Sequence, residues 1–173
     1  MTIREHKGEL RGLTLAYVGD CNNNVTHSLL FGCAKLGVHI HLGCPEGAAY
    51  EPLPRVVEQA MGIAEGNGAK VSIGHKAEEA VRDADVVYTD SWMSYHIPEA
   101  ELDQRVSVFK PFQVNPALMQ HAKAEAIFMN CLPALRGYEQ AAEVIDGPQS
   151  VVFDQAENRL HGQKAVILTL MEG

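Results

Sequence analysis

Residues 13–37 read LTLAYVGDCNNNVTHSLLFGCAKLG, and this stretch decides the fold class. Its first six residues, 13–18, form a short apolar run rich in β-forming side chains, closed by Gly19-Asp20. That is the pattern of a buried strand. Over residues 23–36 the side chains of Val25, Leu29, Leu30, Cys33, Ala34 and Leu36 recur at helical spacing, and Gly37 ends the run. A buried strand that passes through a tight polar turn into a helix begins a strand–helix–strand unit.

The same rhythm continues outward. Residues 38–42 read as a second strand. Residues 52–65 read as a helix with proline near its start and Gly66 after its end. Residues 70–73 form a third strand, 77–82 a short helix and 85–89 (DVVYT) a fourth strand. A polar, proline-containing stretch covers 90–98. Residues 115–123 read as helical, and 127–132 (IFMNCL) as a fifth strand ended by Pro133. Residues 151–152 are a candidate last short strand, and 155–171 a C-terminal helix. Strand–helix alternation with short connections predicts a single α/β domain. Its mainly parallel sheet is doubly wound (Rossmann-like) with helices on both faces. Ligands of such sheets bind outside the carboxyl ends of the strands. Segments 19–24, 90–96 and 130–136 are therefore predicted to line one edge.

The chain has 173 residues, 46% of them apolar, which suits one domain with a sizeable core. Its formal net charge of −8 argues against a nucleic-acid binder, which normally presents a basic face. Small anionic ligands remain open, because a few placed arginines can bind them within an acidic protein. Cys21, Cys33, Cys44 and Cys131 form no CxxC pair, so a zinc knuckle or thioredoxin-like site is not indicated. Reduced cysteines, together with a charged N-terminal dozen (MTIREHKGELRG) that lacks the apolar core of a signal peptide, predict a cytoplasmic protein. No apolar run reaches the roughly 18 residues that a membrane span needs.

Four segments are candidates for chemistry. GDCNNN (19–24) sits at a strand-to-helix turn, where asparagine caps well and free N–H groups attract a carboxylate. A plain cap is the alternative, but three successive asparagines exceed what one cap needs. DSWMSYH (90–96) begins with an acid at the mouth of a buried strand, placed to pair with an ammonium group. Alternatively Asp90 caps a turn and Trp92 packs in the core. NCLP (130–133) puts Cys131 at the end of a strand, as a ligand contact or a small buried hydrophobe. No adjoining histidine supports covalent catalysis. DQAENRLHGQK (154–164) reads either as a solvated helix face with i,i+3 and i,i+4 pairs, or as a helix that aims Arg159 at an oxyanion.

Together these segments resemble the ornithine carbamoyltransferase family, whose motifs are G-D-x-x-N-N, D-x-W-x-S-M-G, H-C-L-P and A-E-N-R-x-x-x-Q-K. Here the matching stretches are GDCNNN, DSWMSYH, NCLP and AENRLHGQK (156–164), in the same order and at similar spacing. FQVN (112–115) and VIDGPQSVVFD (144–154) also resemble the family. The resemblance implies the L-ornithine-binding domain of an enzyme of arginine biosynthesis and the urea cycle. That enzyme transfers a carbamoyl group from carbamoyl phosphate to the ornithine δ-amine, giving citrulline and phosphate. By position, the resemblance implies that Asn24 holds the carboxylate end of the amino acid and Asp90 its α-ammonium. Ser94 and Tyr95 would lie on the loop that closes over it. Cys131 would lie beside the reacting amine, the Leu132 carbonyl would contact the amine or the carbamoyl NH2, and Arg159 would face carbamoyl phosphate. Asn130 stands where the family has histidine, and can still donate an N–H to the carbonyl oxygen. Tyr95 and His96 stand where it has methionine and glycine.

The expected organisation is one amino-acid-binding domain over residues 1–173, without the family's carbamoyl phosphate domain and its S-T-R-T-R motif. The isolated chain is then expected to be inactive. Partners implied are ornithine or a related amine, carbamoyl phosphate through that other domain, and a homo-oligomer, since the family forms trimers. Two alternatives are a carbamoyltransferase domain for another amine, suggested by the SYH stretch, and a non-catalytic amino-acid-binding or assembly paralogue, suggested by Asn130.

Overall fold

In a computed structural model, which describes residues 1–93 and 97–172, the opening stretch forms strand β1 (Thr14–Val18) and helix α2 (Asn24–Leu36). Asn23 caps α2 by accepting from the Thr26 N–H at 2.9 Å. Gly37 ends it at φ 74°, a left-handed conformation that glycine adopts without the Cβ penalty. Preceding β1 is α1 (Thr2–Lys7). After α2 come β2 (His39–Gly43), α3 (Pro54–Glu65), β3 (Val71–Gly74), α4 (Ala77–Val81) and β4 (Val86–Thr89). Then follow α5 (Leu102–Phe109), α6 (Pro116–Met119), β5 (Ile127–Asn130), α7 (Ala142–Ile145) and α8 (Val152–Glu172). Short 3-10 turns cover Glu99–Glu101 and Lys110–Phe112.

The five strands described make one parallel sheet in the order β3-β2-β1-β4-β5. Side chains alternate across it, as the pleat requires. Leu15, Tyr17, Val86, Tyr88, Ile127 and Met129 face one layer of core with Leu30, Ala34 and Ala60 from α2 and α3. Ala16, Val18, Val87 and Phe128 face the other, with Val81, Leu118, Met119, Val144 and Val152. Both faces are covered, which is why β1, β4 and β5 read as continuous apolar runs.

Three expectations change. Residues 115–123 do not make one helix: α6 stops at Met119 and the chain continues in tight turns, with His121 N–H bonded to Leu118 O at 3.1 Å. There the Lys123 ammonium is held by Asp85 Oδ1 at 2.6 Å. Residues 151–152 form no strand. Ser150 makes a single bridge to Phe128, and α8 starts at Val152. Finally, α1, α5 and α7 were not foreseen. No described helix is long and apolar enough to cross a membrane.

Candidate binding site at the carboxyl edge of the sheet

From β1 the chain winds outward to β2 and β3, and then returns to place β4 and β5 on the other side. The winding reverses between β1 and β4, and sheets of this kind bind ligands at the carboxyl ends of the strands beside such a reversal. The turns that leave β1, β4 and β5 therefore share one edge, as predicted.

The 19–24 turn is built around Asp20. Its Oδ1 accepts from the Asn22 N–H at 2.9 Å, while its backbone carbonyl accepts from Tyr17 Oη at 3.0 Å and from Asn23 Nδ2 at 2.6 Å. Asn22 ties the turn to the Ala48 carbonyl at 3.3 Å. Two of the three asparagines are thus committed to holding the turn. Asn24 is exposed at the first position of α2, where the helix leaves free N–H groups.

Cys131 and Asp90 meet across β4 and β5. The thiol donates to Asp90 Oδ1 at 3.2 Å, and that oxygen also accepts from the Ser91 N–H at 2.7 Å. Burial and the Asp90 charge push the Cys131 thiol up to about 12. At neutral pH Cys131 is therefore an S–H donor and not a thiolate nucleophile. Behind it lies Tyr88, its hydroxyl pushed up chiefly by burial and bonded by Gln155 Nε2 at 2.7 Å. Tyr88 stacks on Tyr17 with ring centres 6.0 Å apart, which joins the pair to the 19–24 turn.

Asn130 is wholly buried and points to the opposite face from Cys131. It accepts from the Leu132 N–H at 2.8 Å and donates to Gln140 Oε1 at 3.0 Å. Gln140 in turn donates to the Leu135 carbonyl at 2.9 Å, and buried Glu139 accepts from the Leu135 N–H at 2.7 Å. Burial pushes the Glu139 carboxyl up. These bonds hold Leu132 in the left-handed region, at φ 53°.

Arg159 lies exposed on α8, one turn beyond Gln155 and hence on the same side of the helix. The histidine–carboxylate contacts of that segment among the described residues are His6–Asp154 at 2.8 Å and Glu157–His161 at 3.6 Å, and neither uses Arg159. The structure thus brings Asp90 and Cys131 into contact and sets Asn24 and Leu132 along the same edge. Arg159 is exposed on α8, one turn beyond the Gln155 that bonds Tyr88. Ser94, Tyr95 and His96 lie outside the described residues.

Sequence reasoning missed a buried group beside this edge. The Arg105 guanidinium, on α5, pairs through Nη2 with Asp20 Oδ2, and its Nε donates to the Trp92 carbonyl at 2.6 Å. It lies 4.9 Å from the centre of the Phe109 ring, on which Trp92 also stacks. Burial raises the Asp20 carboxyl above its usual range, while the Asn22 N–H and Arg105 oppose the shift. No local signal in the LDQRVSVF stretch singles this arginine out. A cleft of about 470 Å³ opens elsewhere, at the amino end of β5 between Met119, Lys123, Glu143 and Gln149. Among the described residues, no three His, Cys, Asp or Glu side chains are grouped to hold a metal ion.

Residues 11–170 match the family model "Aspartate/ornithine carbamoyltransferase, Asp/Orn binding domain". The chain is 52% identical to the ornithine carbamoyltransferase of Thermococcus kodakarensis, over 99% of the chain and 53% of the relative. It is 55% identical to that of Methanothermobacter thermautotrophicus, over 98% of the chain and 55% of the relative. The solved ornithine carbamoyltransferase of Pyrococcus furiosus superimposes with a TM-score of 0.90 at 50% identity, covering 96% of this chain and 52% of that one. The anabolic enzyme of Campylobacter jejuni gives 0.89 at 36% identity, covering 99% and 55%. The chain spans about half the length of these relatives.

Proposed function

The chain belongs to the aspartate/ornithine carbamoyltransferase family as its Asp/Orn-binding domain, and from that membership we propose that it is the L-ornithine-binding half of an ornithine carbamoyltransferase. The observation that carries this reading is the contact between Asp90 and the Cys131 thiol at the carboxyl ends of β4 and β5, beside the point where the sheet order reverses. The names of the relatives favour ornithine over another amine or a non-catalytic role.

In this reading Asp90 pairs with the α-ammonium in a charge-assisted hydrogen bond. The α-carboxylate sits at Asn24 and the free N–H groups at the start of α2. Ser94 and Tyr95 belong to the segment that covers the amino acid. The δ-amine reaches the Cys131 thiol and the Leu132 carbonyl, and Asn130 fixes that carbonyl through the Leu132 N–H. Once uncharged, the amine nitrogen attacks the carbamoyl carbon. The bond from that carbon to the phosphate oxygen breaks, phosphate departs, and the nitrogen loses a proton to give citrulline. Alignment and preorganised donors supply the acceleration. Arg159 is the donor this chain offers toward carbamoyl phosphate, which a second domain grips. The reaction in this scheme uses no cofactor, takes place in the cytoplasm and serves arginine synthesis, as the name of the anabolic Pyrococcus furiosus relative suggests. Trimeric assembly follows the family pattern.

Calorimetry with L-ornithine tests the reading. Wild-type chain is expected to bind, and Asp90→Ala to lose about 2 kcal/mol or more, in the range for a charge-assisted bond. Equal affinity in the two proteins rejects the assignment.

A further inference from the structure

Arg105 has no part in the proposed chemistry, yet it joins both turns that form the site. Its Nε and Nη2, neighbouring donors on one edge of a planar group, reach the Trp92 carbonyl and the Asp20 carboxylate. Trp92 lies two residues beyond Asp90, and Asp20 lies four residues before Asn24. Both side chains of the ion pair are nearly sealed from solvent, at 9% and 5% exposure. A buried ion pair is a costly way to fill space, since apolar side chains of similar volume usually do so at least as well. What the guanidinium adds is geometry: a rigid fork whose two acceptors must lie one fork-width apart.

Three further observations agree. Phe109, one turn along α5, backs the clamp. Its ring lies under the guanidinium, 5.8 Å from Trp92, and edge-on to Tyr50 at 5.2 Å. The Tyr50 carbonyl accepts from the Cys21 N–H at 2.9 Å, so α5 also supports the 19–24 turn from its far side. Finally, the Trp92 indole N–H is buried without a hydrogen-bond partner among the described residues. A buried donor left unpaired is unfavourable, so the position of Trp92 is imposed by its surroundings.

We propose that Arg105 is a positioning residue for the amino-acid substrate: by clamping the Trp92 carbonyl to Asp20, it sets the spacing between Asp90 and Asn24. This rests on the ornithine reading for the identity of the ligand, but the clamp itself does not. Trp92 is the only tryptophan in the chain, so its emission reports the clamp directly, with or without ligand.

The test compares the full chain with Arg105→Lys, which keeps the charge and loses the fork, and Arg105→Gln. Lys123→Ala serves as the control, since it breaks the ion pair with buried Asp85 at the opposite edge of the sheet. Calorimetry with L-ornithine, thermal unfolding, and acrylamide quenching of Trp92 are measured on each. Both Arg105 variants are expected to fold, to bind ornithine roughly 10- to 100-fold more weakly, and to show red-shifted, more quenchable Trp92 emission. Lys123→Ala is expected to lose stability with ornithine affinity and Trp92 emission unchanged. Arg105→Lys with parental affinity and emission overturns the proposal, and so does equal weakening of ornithine binding by Lys123→Ala. If the parent chain binds no ornithine, the functional reading fails. The clamp is then judged on ligand-free emission, which supports it if loosened by Arg105→Lys and overturns it if unchanged.

Discussion

Cys131 and Asp90 show how one contact decides between two chemistries. Isolated, a cysteine at a strand end is a candidate nucleophile, but burial and the neighbouring carboxylate push this thiol up to about 12. Both effects disfavour the anion, so the sulfur donates a proton to Asp90 throughout the physiological range. Alkylation measures this. Cys21, Cys33 and Cys44 are buried, which leaves Cys131 as the accessible thiol. Its rate with iodoacetamide is expected to rise about tenfold per pH unit beyond the ordinary thiol range, with no plateau below about pH 10. Asp90→Asn removes a negative charge that raises the thiol, so its pKa falls and alkylation accelerates. A plateau near the usual thiol value in the parent chain contradicts the environment described. Both residues were legible in the sequence because each ends a continuous apolar run, and such runs end at the ligand-binding edge of a parallel sheet. Arg105 was not. A single arginine in a short helix is ordinarily solvated, and nothing local marks it as facing a carboxylate 85 residues away.

Elements were legible where periodicity and punctuation agreed. β1, α2, β4 and β5 had both: an apolar run or helical stripe, with Gly19-Asp20 after β1, Asn23 and Gly37 at the ends of α2, Asp90 after β4 and Pro133 after β5. α5 had neither, since Arg105 interrupts its apolar face and no capping side chain opens it. α6 carries an asparagine cap and a proline start, and so looked longer than its four residues. Its continuation is set by tertiary contacts of Lys123 that no local pattern reveals. At the other extreme, α8 runs through Gly162 without a break. A Cβ there would meet only Met1 Sδ, at 3.7 Å, so Gly162→Ala adds helix propensity at no steric cost. The gain is expected to be about 0.8 kcal/mol. Amide exchange over residues 158–168 should slow roughly fourfold by local opening, with a small rise in melting temperature. Unchanged exchange means that this part of α8 is not helical in solution.

At the scale of the whole molecule, α8 is poorly integrated. Of its 21 residues only Val152 is buried, whereas Leu160, Val166, Ile167, Leu168, Leu170 and Met171 are each more than half exposed. A soluble monomer seldom presents so much contiguous apolar surface. Stability comes from the two core layers against the sheet, and exposed side chains add little to it, because burial on folding is what stabilises. Ending the chain at Gly162 is therefore expected to shift the melting temperature by no more than about 3 °C, on the scale set for a domain of this size. The same deletion should reduce binding of a hydrophobic dye. Both are read at several protein concentrations. A loss of more than about 10 °C that grows with concentration gives the opposite answer. It means that the apolar face of α8 is covered in solution by another copy of the chain, so that the fold owes part of its stability to assembly.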